Sequence, residues 1–415
     1  MDARPTAIGD AELEHFLHVS RDVFRRASVA SSRGRAILAT PPGGKYPFIY
    51  TRDLAMAIGG LCELGALDTA RDYCRFLLRV QGADGAWVQR YDPDGLPAEH
   101  VRQEDATALA VWAVLSYVKA AGDDTLVEVA REPIERAARY TLERTLNPYL
   151  YLVETTTSVH ETEANSGYEI WNNCAHAAAF ALCHRVYGGD RYRRLALMIR
   201  RAIGLLMVHE NRFLRRLDTH GYPDPRPDVS LLAPFYFLLW SPNERTVVNS
   251  AELVERALWN VEIGGYIRYL PFSATERSVI PGPWPHFTAW MAQYHYTLGN
   301  QDRAEAIVRW LFDNTIEGEL PETVMPASSI RRYAEERRAS IETVGPADAA
   351  SLAAVASSRD RLADDLDRIE QLGASQEVVA ANVPYIWAHV ETLRALKRGG
   401  YVERWEAEPS ARRSH

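Results

Sequence analysis

The stretch Ser166-Gly167-Tyr168-Glu169-Ile170-Trp171-Asn172-Asn173-Cys174-Ala175-His176 puts an acid, an indole, two amides and an imidazole together, just before an Ala-rich apolar run. A polar cluster opening a buried helix is either a cap for the helix's own N–H groups or the wall of a site. Other stretches carry side chains of similar capability. Tyr46-Pro47-Phe48-Ile49-Tyr50-Thr51-Arg52-Asp53 sets an Arg–Asp pair beside two tyrosines. That pair can close a helix start, or it can grip neighbouring hydroxyls, Arg donating and Asp accepting. Gln81-Gly82-Ala83-Asp84-Gly85-Ala86-Trp87 ends a turn in an aromatic, and Arg102-Gln103-Glu104-Asp105 opens the next helix with four polar side chains. A solvated helix start explains those acids equally well. Gly264-Gly265-Tyr266-Ile267-Arg268-Tyr269 and Pro281-Gly282-Pro283-Trp284-Pro285-His286 frame a linker in which Arg268 can bind hydroxyls and Trp284 can stack on a ring. In Glu317-Gly318-Glu319-Leu320-Pro321-Glu322 the fixed φ of Pro321 suits a carboxylate at 322 that must hold its position.

A repeated unit has to position these groups. One helix ends in a Gly turn, Asp or Asn caps the next, and an Arg-rich amphipathic helix follows. The turn glycines at 65, 122, 188 and 299 are spaced 57, 66 and 111 residues apart. The last gap is double, and Trp240-Ser241-Pro242-Asn243-Glu244-Arg245 fills the place of the absent turn, followed by a helical pattern through Trp259. That makes five helical hairpins. A sixth pairs an N-terminal helix, about Ala11 to Ala30, with a C-terminal one, about Val378 to Arg398. Twelve helices without a convincing strand pattern predict an all-α fold, a closed (α/α)6 barrel. Residues 1–405 read as one domain that includes a helical insertion at 325–378, and 406–415 as a disordered tail. The long linkers, 82–100, 147–167, 260–285 and 315–378, are where a site is expected.

Composition excludes several classes. A net charge of -8 opposes nucleic-acid binding, which needs clustered cations. No apolar run reaches membrane-spanning length, and Met1-Asp2-Ala3-Arg4-Pro5 lacks a secretion signature, so a cytoplasmic protein is expected. Cys62 and Cys74 could face each other across a hairpin, but buried free thiols are expected for all four cysteines. There is no HExxH, no Cys/His cluster at metal spacing, no Walker loop and no GxGxxG opening a βαβ unit, so neither metal nor cofactor is expected. With 10 Trp and 20 Tyr the chain has aromatic surface to spare, and a small carbohydrate is the expected partner.

Taken in order, six stretches resemble the glucoamylase-type glycoside hydrolases of family 15: Tyr46…Tyr50-Thr51-Arg52-Asp53, Gln81…Asp84-Gly85…Trp87, Gly167-Tyr168-Glu169-Ile170-Trp171, Gly264-Gly265-Tyr266-Ile267-Arg268-Tyr269, Leu320-Pro321-Glu322 and Pro384-Tyr385-Ile386-Trp387-Ala388-His389. They run from Tyr46 to His389. The resemblance implies an (α/α)6 barrel and inverting hydrolysis of terminal α-glucosidic bonds, with no cofactor. It implies Glu322 as the general base. It makes Arg52 and Asp53 the clamp on the terminal sugar, sets Tyr46 against the reacting centre, and puts Arg268, Trp171 and Trp284 where the family has binding residues; Tyr50, Trp87 and Asn172 are expected to join them in binding substrate. Inversion needs two carboxyl groups about 6.5–9.5 Å apart, one to protonate the leaving oxygen and one to activate water. The family's general acid directly follows the Trp of the third motif, where this chain has Asn172. An amide has no proton to donate near neutral pH. Three readings follow. Glu169, one helical turn earlier on the same face, takes the role; or Glu161 or Glu163 reaches in; or no strong acid is needed, because the leaving group is good or the protein only binds sugar. A silent sugar-binding protein, and another toroid enzyme such as a cyclase or epimerase, are the rival classes.

Overall fold

The computed structural model describes residues 8–98, 103–156, 159, 166–270, 282–330, 367, 370, 371, 373 and 376–405. Its helices are α1 (Asp10–Ala27), α2 (Thr51–Leu64), α3 (Leu67–Val80), α4 (Glu104–Ala121), α5 (Asp124–Tyr140), α6 (Ile170–Tyr187), α7 (Asp190–Leu206), α8 (Ala233–Tyr236), α9 (Arg245–Leu258), α10 (Pro285–Leu298), α11 (Gln301–Asp313) and α12 (Ile386–Arg398). They alternate between two rings of an (α/α)6 barrel. Inner helices such as α4 and α10 are buried along nearly their whole length, as their Ala-, Trp- and Val-rich sequences require. Outer helices bury one stripe only: α9 turns Val247, Ser250, Ala251, Val254 and Leu258 inward, the i, i+3, i+4 spacing of an amphipathic helix. Around the inner ring α2 packs on α4 and α4 on α6, while α12 packs on both α10 and α2, which closes the barrel. Gly59 and Gly60 let α2 lie between its neighbours: a Cβ on the first would stand 2.4 Å from Trp112, and on the second 2.4 Å from Val390.

Three expectations about elements are corrected. The fourth inner helix is only a 3-10 turn, Val229–Leu232, running into the single turn α8. The N-terminal helix stops at Ala27, because Ser28–Ser31 (β1) turns back to pair with Gly34–Ile37 (β2). The C-terminal helix starts at Ile386 rather than near 378. Pro384 bars a helix across it, and the β-branched Val378 and Val379 go into a strand.

Short ladders therefore exist where no strand pattern was expected. They are β3 (Ile49–Tyr50) with β4 (Arg90–Tyr91), and β5 (Tyr168–Glu169) with β8 (Arg216–Leu217) and β9 (Pro223–Asp224). The others are β6 (Val208–His209) with β7 (Arg212–Phe213), and β10 (Thr323–Pro326) with β11 (Val378–Ala381). The last is antiparallel from Thr323↔Ala381 to Pro326↔Val378, so most of the insertion expected at 325–378 is an excursion between two paired strands. Residues 331–366 and the tail 406–415 lie outside the described residues. Cys74, Cys174 and Cys183 are buried free thiols and Cys62 is a half-buried one. Among the described residues no helix is long and apolar enough to cross a membrane.

Candidate active site

The inner helices all present their N-terminal ends to one face, and Glu322 is delivered there by the loop before β10. Its backbone is held at every step. The Leu320 N–H donates to His389 Nε2 at 3.0 Å, and the Leu320 carbonyl accepts from the Tyr385 N–H at 2.8 Å. The Glu322 N–H donates to the carbonyls of Ala381 and Asn382, both at 3.1 Å, and the Asn382 amide donates back to the Glu322 carboxylate. Asn382 has φ 57°, a left-handed conformation that Asn tolerates. Gly282 backs β10: a Cβ there would stand 1.7 Å from the Val324 carbonyl oxygen.

Tyr385 joins this base to the Arg–Asp pair. Its hydroxyl is hydrogen-bonded to Asp53. Burial first, then the charges of Asp53 and Glu322 and the neighbouring Tyr46, push it well above the ordinary tyrosine range. Tyr46 stands edge-on to Tyr50 at 6.0 Å, and the Tyr50 hydroxyl accepts from Arg90 at 2.9 Å. Arg52 is not a lone donor. Its Nε donates to Asp105 Oδ2 at 2.8 Å and its Nη2 to Gln103 Oε1 at 2.5 Å and Asp105 Oδ1 at 3.3 Å. Trp171 donates to the same Asp105 Oδ2 at 2.9 Å. Asp105 and Gln103 therefore fasten Arg52 across two helices, rather than simply finishing a solvated helix start.

Arg268 and Trp284 arrive on paired segments: Ile267 bridges Pro283, and the Trp284 N–H donates to the Tyr266 carbonyl at 2.9 Å. The Arg268 guanidinium lies 5.2 Å from the Trp284 ring. Next to them His286 stacks on Trp387 at 4.5 Å and meets Tyr385 edge-on at 5.4 Å. Burial, together with the guanidinium groups of Arg268 and Arg52, holds this imidazole well below the usual histidine range and so neutral. His286 was not among the expected site residues. An imidazole directly after Trp284-Pro285 is the only signal the sequence offers for it. The buried polar atoms without a hydrogen-bond partner among the described residues include Arg268 Nε, Trp284 Nε1, His286 Nδ1 and Asn172 Oδ1. Two donate and two can accept, a set that suits a polyhydroxylated ligand.

The opening stretch divides. Glu169 is buried at the end of β5, at the mouth of α6, and its main-chain carbonyl accepts from Asn173 Nδ2 at 2.9 Å. Asn173 also ties down Val153, at 2.7 and 3.1 Å, and Asn172 Nδ2 donates to Thr155 Oγ1 at 2.7 Å. Both amides thus fasten the linker 153–155 to α6. Trp171 is wholly buried, stacked on Trp290 at 5.3 Å, and acts on Arg52 only through Asp105. In these contacts it supports Asp105, and through it Arg52. Trp87 is likewise buried: its indole N–H goes to the Leu77 carbonyl at 2.8 Å and its ring packs in the core. A turn ending in Trp reads alike in both roles, because local sequence does not say which way the ring faces. Glu161 and Glu163 lie outside the described residues.

No protein-family profile matches the chain. In sequence it is 24% identical over 314 residues to an uncharacterized glycosyl hydrolase of Methanocaldococcus jannaschii, covering 71% of this chain and 49% of the relative. The chain therefore spans about half the length of the curated relative it matches. In structure it is similar to a wild-type glycosidase, with TM-score 0.68 and 16% identity over 94% of this chain and 98% of that one. It is similar also to a bacterial glucoamylase complexed with acarbose, with TM-score 0.62 and 15% identity over 95% of this chain and 56% of that one. The chain is an (α/α)6 barrel related in sequence to a glycosyl hydrolase.

Proposed function

We propose that this protein is an inverting, exo-acting glycoside hydrolase for short α-glucosides or related glycosides, working in the cytoplasm on a small carbohydrate. The observation that carries the reading is Tyr385. It is hydrogen-bonded to Asp53 and lies in the field of Glu322, so residues 53 and 322 meet at one buried point. Glu322 is the base that takes a proton from the attacking water. Asp53 accepts from sugar hydroxyls, Arg52 contributes its charge, and Arg268 and Trp284 bind the ring from the facing linker. Glu169 is the acid that protonates the leaving oxygen. The glycosyl hydrolase relative and the glycosidase and glucoamylase of the same fold support the reaction class.

Glu322→Gln removes the base at nearly constant shape. Turnover of α-linked disaccharides, followed by glucose release, should fall at least about a hundredfold while calorimetry still detects sugar binding. Retained turnover would overturn the assignment. A second reading, a silent sugar-binding protein on the same barrel, draws on one feature: the amide of Asn172 serves to hold Thr155. It requires binding with no turnover of any glycoside, activated ones included.

A further inference from the structure

The inner helices begin at the candidate active site and end at the opposite face of the barrel, which holds a cavity. Its volume is about 290 Å³. The C-terminal halves of α2, α4, α6 and α12 line it, together with the segment that follows α8. Its origin lies in the shortened fourth inner helix. The other inner helices run for 13 to 18 residues, whereas α8 stops after 4. Phe237-Leu238-Leu239 bridges the gap, with Leu238 in a left-handed conformation at φ 56° and 80% exposed. Small residues at 59, 178 and 181 keep the axial space open.

The lining has two parts. The wall is apolar and aromatic, with Trp112 and Phe237 edge-to-face at 5.7 Å. Lys119, Arg185 and Arg398 stand in the last turns of α4, α6 and α12, with Arg394 close by, against the single acid Glu63. Helix C-termini favour cations, which accounts for each residue type separately. That preference does not account for three such ends lining one apolar cavity with so little negative charge between them. Arg394 pairs with Glu63 and, at 3.2 Å, with the buried Glu391 behind the wall, while Arg398 lies 3.8 Å from Glu63. Lys119 and Arg185 have no ion-pair partner among the described residues.

We propose that this cavity is a second binding site, for a small organic anion with a flat apolar body and one acidic head. The body would lie against Trp112 and Phe237, and the head would meet Lys119, Arg185 and Arg398. Burial and the adjacent Arg394 hold the Arg398 guanidinium below its ordinary value, so that positive charge is crowded there and an anion relieves it.

The test uses two fluorescent probes of one shape on the full chain: anilinonaphthalene sulfonate, which is anionic, and neutral phenylnaphthylamine. The sulfonate should bind once per chain, about tenfold or more tighter than the amine, as a charge-assisted contact implies. Arg398→Gln and Lys119→Gln should each weaken the sulfonate several-fold and leave the amine unchanged. Ala181→Trp should exclude both probes. Equal affinity for the two probes would overturn the anionic class. Unchanged sulfonate binding in folded Ala181→Trp would overturn the site. Arg398 is only partly buried, so Arg398→Gln decides the matter should the tryptophan variant fail to fold, and sulfonate affinity unchanged there refutes the proposal.

Discussion

His389 and Leu320 meet across the barrel wall. The Leu320 N–H donates to His389 Nε2 at 3.0 Å, two residues before Glu322. With Nε2 an acceptor, Nδ1 carries the proton and donates to Ser20 Oγ at 2.9 Å. One neutral ring therefore ties α1, α12 and the loop of the candidate base together. His389→Phe keeps the ring's packing against Phe16 but leaves the Leu320 N–H and the Ser20 hydroxyl buried without partners. Urea unfolding should show a loss of about 1–3 kcal/mol, and kcat should fall with it as Glu322 loses its anchor.

Buried neutral histidines make the fold sensitive to acid. Burial lowers His176 to about 4 and His389 to about 3, from an ordinary value of 6.5. The neutral form is the folded one, so above about pH 6.5 these groups cost nothing. As pH falls from 6.5 toward 4 the unfolded chain takes up protons that the native chain refuses, and stability declines. Each group contributes a slope of about 1.4 kcal/mol per pH unit in that window. Unfolding free energies measured at pH steps from 7 to 4 should show the decline, and His176→Phe should flatten it by one group's share.

Gly282 is required by contact rather than by backbone angle. In Gly282→Ala the new methyl would stand 1.7 Å from the Val324 carbonyl oxygen, a main-chain atom in the strand that follows Glu322. Strand β10 must shift, and the candidate base shifts with it. We expect a folded protein by circular dichroism with kcat/KM lowered at least about tenfold, since misplacing a base by an ångström has that scale of effect. Wild-type kinetics in this variant would mean that the strand does not position the base.

Glu169→Gln separates acid catalysis from structural support. A general acid matters only when the leaving oxygen needs a proton. The variant should lose about a hundredfold or more on a natural disaccharide and far less on a glycosyl fluoride, whose leaving group departs unprotonated. An equal loss on both substrates would make Glu169 a support for the mouth of α6 and reopen the question of the acid.

Much of the architecture is legible in order along the chain. Gly65, Gly122 and Gly299 close inner helices in the left-handed conformation, and the apolar periods on either side separate buried inner helices from striped outer ones. Leu320-Pro321-Glu322 and Arg52-Asp53 stand out as candidates for chemistry because residue type and spacing carry the signal, and Tyr385 links the two in the fold. The short fourth inner helix was not legible, since the apolar run through Val229–Tyr236 reads the same whether it makes two turns or four. Nor were the partners of the tryptophans: all three of Trp87, Trp171 and Trp284 are buried, yet the indole N–H groups of Trp87 and Trp171 are satisfied within the protein and that of Trp284 has no partner among the described residues.

What the sequence determined by itself is local: helix ends, buried and exposed faces, and which residues could do chemistry. Those depend on neighbours within a few positions, and the 3.6-residue period reports them. Only the tertiary structure decided partners. Asp105 claims Arg52, His389 holds Leu320, Asn382 faces Glu322, and Asn172 is committed to Thr155. Each of these contacts forms when the ring of helices closes and brings distant segments to one point, and no pattern along the chain encodes which buried polar group will be there to meet another.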